Sequence, residues 1–163
     1  MGCPAGPRDQ TTAEQRSDVL VFSSDVLPAD VEVTGPVKVV LYASSSAVDT
    51  DWTAKLVDVH PDGHPYNLCD GVLRARYRAS PRASTLIEPG KIYRYEIDLG
   101  VTSNVFFAGH KARVEISSSN FPRFDRNLNT ADAWGTATMP IKATQSVYHD
   151  SEHPSQIVLP IIP

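Results

Sequence analysis

A chain of 163 residues with a formal net charge of −4 suits one domain with a core of its own. The slight acidic excess offers no basic field to nucleic acid or anionic lipid, so neither is an expected partner. No apolar run approaches the roughly 18 residues of a membrane span.

The start, MGCPAGPRDQ, lacks the basic and apolar segments of a secretory signal, and Gly6 stands where a myristoylation signal takes serine or threonine. A cytoplasmic location is the expectation. Cys3 and Cys69 form no CxxC or zinc-type cluster and read as two free thiols of a reducing compartment. Residues 1–18 read as a leader with a Pro/Gly-rich start, and TAEQRSD (12–18) is its one weak helical stretch.

From residue 19 onward, short β-branched and aromatic runs alternate with turn residues, and no helical period is sustained. VLVFS (19–23) and VEVT (31–34) read as strands, and Gly35-Pro36 separates the second from VKVVLYA (37–43). TAKLVDVH (53–60) and YNLC (66–69) form a hairpin across the Pro61-Asp62-Gly63 turn. VLRARYRA (72–79) alternates, which places Arg74, Arg76 and Arg78 on one face. That stripe reads as a solvated face with cross-strand partners in Glu96, Asp98 and Glu115.

IYRYEIDL (92–99) turns Tyr93, Tyr95, Ile97 and Leu99 to one side, and ARVEIS (112–117) turns Val114 and Ile116 inward with Arg113 and Glu115 outward. Residues 131–143 carry little pattern, and TQSVYH (144–149) and SQIVLPII (155–162) close the chain. About nine to eleven short strands at roughly 8–12-residue spacing predict an all-β chain, a jelly-roll β-sandwich over 19–163 with mostly antiparallel sheets.

Catalytic signals are sparse. A nucleophile elbow needs G-x-S-x-G, and no glycine here has a serine two residues on. Ser44–Ser46 and Ser117–Ser119 therefore read as strand-end hydroxyls bonding local backbone. His149 and His153, four apart, lie among strands and before Pro154, where their rings need not share a face, so no metal site or other cofactor is expected. His60 and His64 bracket a turn and read as exposed, and Asp49, Asp51 and Asp58 are weak evidence for a calcium loop that Asx-type turns explain equally well.

DVLVFSSDVL, EVTGPVKVVLYASSSAVDTDWTAKLVDVHPDG, LCDGVLRARYR, TLIEPGKIYRYEIDLGVTSNVFFAGHKARVEISSSNFPRFDRNLNT and YHDSEHPSQIVLPII together resemble the C-terminal domain of the CocE/NonD acyl esterases. These are grouped with the X-Pro dipeptidyl-peptidases and α-amino acid ester hydrolases. The resemblance runs over practically the whole chain. It implies a galactose-binding-like jelly roll that is non-catalytic. In such enzymes it packs against an α/β-hydrolase domain, which carries a Ser-His-Asp triad, and its helical cap. No triad residue maps onto this sequence, so the chain is expected to be inactive alone.

Members of that family begin the domain with further strands upstream. A jelly roll without them exposes a sheet edge, so the resemblance implies a partner: an α/β-hydrolase domain or subunit, in cis or in trans, or a second copy of the chain. It also turns SSSNFPRFDRNLNT (117–130) into a docking loop, with Asn120, Phe121, Arg123, Phe124, Asp125, Arg126, Asn127 and Asn129 as the docking residues. The alternative is a stand-alone carbohydrate or small-ligand module that stacks its ligand on Trp52, Trp134, Phe121 or Phe124.

Overall fold

Alternation along residues 92–99 sets the inner face of one sheet, because successive side chains of a strand point to opposite sides. Tyr95, Ile97 and Leu99 are buried, whereas Arg94, Glu96 and Asp98 are exposed. The computed structural model describes residues 6–133 and 135–163; Cys3 and Trp134 lie outside them.

The elements are α1 (Thr11–Glu14), β1 (Leu20–Ser23), β2 (Val31–Ser45), β3 (Asp51–Val59), β4 (Pro65–Arg74), β5 (Tyr93–Phe106), β6 (Lys111–Ser117), β7 (Gln145–Tyr148), β8 (Gln156–Val158) and β9 (Ile161–Ile162). One sheet runs β1-β6-β3-β4. The other runs β5-β2-β7, and β8 and β9 also pair with β2. Every pairing is antiparallel. Between the sheets lies one core that includes Trp52, Tyr95, Phe106, Leu41, Leu56 and Ile97. The Trp52 and Tyr95 rings meet at 5.8 Å.

Three strand expectations are corrected. Gly35-Pro36 does not divide the chain: β2 runs on through it, and the register against β5 shifts between Pro36 and Lys38. A bulge of this kind lets a residue without an N–H sit inside a strand.

The strand at 72–79 stops at Arg74, and Ala75–Tyr77 turns into a 3₁₀ segment. There the Asp49 carboxylate accepts the backbone N–H of Arg76 at 2.9 Å, and the Thr50 carbonyl accepts that of Ala75 at 2.8 Å. These bonds pull the backbone out of the ladder.

Glu115, expected outward, is only 3% exposed, because residues 8–14 lie over the outer face of the β1-β6-β3-β4 sheet. Gln10 donates its backbone N–H to Pro65 O at 2.8 Å. Lys55 Nζ donates to both Gln10 Oε1 (2.7 Å) and Glu115 Oε2 (3.1 Å), and Arg113 pairs with Glu14 at 2.6 Å. Burial holds the Glu115 carboxyl above its ordinary range, with Lys55 opposing.

The same segment is pinned at the PDG turn, where His64 Nδ1 meets Asp9 Oδ2 at 2.7 Å. Hydrogen bonds from Thr11 and His64 hold Asp9 down at about 2, and the Asp9 bond is the main cause that raises His64 above 6.5. A lowered acid stabilises the fold until pH falls through its folded value, and a raised histidine does so until pH rises through its own. The clip is therefore complete between 3.8 and 6.5, the ordinary values of the two groups. Titrating the His64 ring by NMR should give a midpoint above 6.5, and Asp9→Asn should lower it. An unchanged midpoint would mean that the pair does not form in solution.

Candidate docking site

Two arginines and two aspartates build this face from below. Arg76 is 9% exposed and Asp49 1%, and Arg76 Nε meets Asp49 Oδ2 at 2.7 Å. Arg74 grips Asp51 with a two-pronged contact at 2.8 and 3.0 Å, a geometry that only the planar guanidinium fork supplies. The stripe Arg74, Arg76, Arg78 is thus no solvated face. Its acids are Asp49 and Asp51 rather than Glu96, Asp98 and Glu115, while Arg78 lies 4.4 Å over the Tyr93 ring. Asp49 and Asp51 in turn serve as ion-pair partners and not as turn acids alone.

Upon this base sits the loop 117–130. Arg76 reaches into it, donating Nη1 to Asp132 O at 2.8 Å and Nη2 to Thr130 O at 2.6 Å. Asn127 Nδ2 donates to Asp49 Oδ2 at 2.8 Å and to Asp51 Oδ1 at 2.9 Å. Asn120 Nδ2 donates to Asp70 Oδ2 at 2.8 Å, and Arg123 pairs with Asp70 Oδ1 at 3.1 Å. Asn129 adopts φ 61, accessible to asparagine, and donates its side-chain N–H to Ile141 O at 2.8 Å. The Phe121–Pro122 bond is cis.

The eight residues singled out from the sequence therefore divide. Asn120, Asn127 and Asn129 spend their amides holding the loop down. Phe121 is 54% exposed, and the Arg126 guanidinium lies 4.2 Å over its ring. Arg123 stands 5.6 Å over the half-buried Phe124. Asp125 Oδ1 accepts the Arg126 backbone N–H at 2.9 Å. Phe121, Asp125, Arg126, Asn127, Arg74 and Arg76 help to line an open cleft of about 320 Å³.

Other candidates do not assemble. Trp52 is 1% exposed and belongs to the core, so it cannot stack on a sugar; Trp134 lies outside the described residues. Ser44 Oγ meets the Tyr148 hydroxyl at 3.2 Å, Ser46 Oγ accepts the Thr144 N–H at 2.9 Å, and Ser117 Oγ meets Thr53 Oγ1 at 2.6 Å, all local or cross-strand contacts. His149 packs edge-on against Phe22, while His153 turns to Asp150, Tyr42 and Tyr148.

The family model for the X-Pro dipeptidyl-peptidase C-terminal non-catalytic domain matches residues 5–158. This chain belongs to that family. As a member, it is 52% identical over 159 residues to cocaine esterase of Rhodococcus sp. (strain MB1 Bresler), covering 96% of this chain and 28% of that protein.

Among solved structures, an aminopeptidase from a marine sediment Thaumarchaeota archaeon superposes with a TM-score of 0.91 at 34% identity, covering 95% of this chain and 27% of that one. An α-amino acid ester hydrolase superposes with 0.89 at 32%, covering 94% and 27%. The chain thus spans about a quarter of the length of these relatives. It is a non-catalytic C-terminal domain of the X-Pro dipeptidyl-peptidase and CocE family, all-β as the alternation predicts.

Proposed function

We propose that this domain braces the α/β-hydrolase and cap domains of a serine hydrolase and helps to shape its substrate pocket, docking through the loop at 120–129. The observation that carries the reading is the division of that loop. Its asparagines and the buried Arg76 fix the backbone from within, and Phe121 with the stacked Arg126 is held out toward solvent. An aromatic and an arginine on a rigid base are the residue types that anchor interfaces.

A second feature supports a covering partner. Leu20, Val21 and Phe22 of the edge strand β1 are all exposed, although consecutive residues point to opposite faces. An edge strand that is apolar on both sides is a ready template for another chain. The hydrolase domain is the partner that the family relationship favours.

Arg126→Ala should separate docking from folding. Within this domain Arg126 is exposed and the stack over Phe121 contributes about 0.5–1 kcal/mol. Across a docked interface the same truncation should cost about 2 kcal/mol or more. Unfolding of the isolated domain, compared with interdomain dissociation in the full-length hydrolase, measures the two. Equal losses in both would sink the docking role.

A further inference from the structure

Asp58, His60 and His110 lie 52 residues apart at their extremes and are joined only by the fold. Asp58 and His60 come from the end of β3 and the turn that follows it, and His110 from the turn between β5 and β6. Asp58 Oδ1 meets His110 Nδ1 at 2.8 Å, and Asp58 Oδ2 lies 3.8 Å from His60 Nε2. The two imidazole rings pack at 4.5 Å. One ligand atom from each of the three side chains falls within 4.8 Å of the other two. With metal–ligand bonds near 2.0–2.2 Å, the donors of a tetrahedral zinc site stand about 3.4 Å apart, so the cluster needs only small side-chain adjustments to close on an ion.

From this geometry we infer that Asp58, His60 and His110 form a binding site for one divalent transition cation of the zinc type. Two imidazoles and a carboxylate are a nitrogen-rich borderline set; calcium and magnesium would need more oxygens. The ion takes the place of the Asp58–His110 hydrogen bond and neutralises a buried carboxylate whose ion-pair partners among the described residues are these two histidines alone.

Both histidines sit on constrained backbone. The His60 N–H donates to His64 O at 3.0 Å and His60 O accepts from Gly63 at 2.9 Å; the His110 N–H donates to Phe107 O at 3.0 Å and His110 O accepts from Leu27 at 2.9 Å. Tyr66 packs on the His60 ring at 4.9 Å, and Phe107 meets the His110 ring edge-on at 5.7 Å. Asp58 and His110 are buried, but the His60 side chain is 41% exposed and opens the site to solvent. A bound ion ties the β3–β4 turn to the β5–β6 turn.

The test is a titration of the full 163-residue chain with Co²⁺, read by its visible absorption, and with Zn²⁺, read by calorimetry. The expected result is one saturable equivalent with the intense bands of a tetrahedral nitrogen/oxygen Co²⁺ site. Loss of an outer partner weakens metal sites about 10–100-fold, so loss of a ligand in His60→Ala should weaken this one at least about 100-fold. His64→Ala and His153→Ala should leave the affinity within about twofold.

His60 is the deciding position because its exposure lets the fold survive, which circular dichroism checks; His110→Ala, at a buried site, serves as the second variant. Three results would each overturn the site: no saturable binding, affinity unchanged in His60→Ala, or a thiolate charge-transfer band that puts the ion on a cysteine.

Discussion

Replacing Arg76 with alanine should cost the domain about 3–5 kcal/mol, because it strands the Asp49 carboxylate in a buried position with Asn127 as its remaining side-chain partner. From its own place after β4, one guanidinium here satisfies three acceptors on two other segments: the Asp49 carboxylate before β3, and the carbonyls of Thr130 and Asp132. Its backbone N–H adds a further bond to Asp49. Arg76→Lys should recover little, since a point ammonium cannot reproduce the planar fork.

In a domain of this length a loss of that size lowers the melting temperature by about 6–20 °C. Urea unfolding gives the energy. Limited proteolysis gives the place, and the loop 117–130 should become the first site of cleavage. Arg82→Ala, at an exposed position, should stay within about 0.5 kcal/mol. A loss below about 1 kcal/mol in Arg76→Ala would show that the loop is held by something else.

Gly71→Ala is the second large effect, and its cause is space rather than backbone angle. A Cβ on Gly71 of β4 would lie 1.9 Å from the carbonyl oxygen of Asp98 and 3.3 Å from Cα of Leu99, both on β5. The two sheets close on each other at this corner with backbone against backbone, so no side chain can swing away. Forcing the methyl in must move a strand, and the cost should reach about 3 kcal/mol, the upper end for overpacking.

The comparison variant is Gly63→Ala. Gly63 has φ +91 with nothing within 4 Å of its would-be Cβ, so only conformational strain of about 1–2 kcal/mol applies. Chemical unfolding of both should rank Gly71→Ala as the more damaging. The reverse order would mean that the corner is looser than this packing requires.

Local pattern made much of the architecture legible. Period-2 alternation at 92–99 assigns Tyr95, Ile97 and Leu99 to the core without any knowledge of what they meet, because facing is a property of one strand. The PDG turn and the hairpin across it follow from residues that preset φ. The loop at 117–130 was visible as a crowd of polar residues, and the chain's family could be read from long motifs in order.

Beyond the strand limits at Gly35-Pro36 and Arg74, the errors concern what covers a face. Arg74 and Arg76 alternate with apolar residues as a solvated stripe would, yet Asp49, Asp51 and the loop at 127–132 close over them. Glu115 alternates outward as expected and is then roofed by residues 8–14.

The sequence by itself determined most of the strands, the sidedness of the core residues and the family, since these depend on residues a few positions apart or on motifs read in order. Only the tertiary structure decided which half of the loop 117–130 points inward and that His110 meets Asp58 and His60. It also decided that Gly71 touches the backbone of Asp98. Each of these is a contact between segments more than 20 residues apart in the chain, set by which strands pair, where the loops fold back and how the sheets stack, and a periodicity of two carries no information about such neighbours.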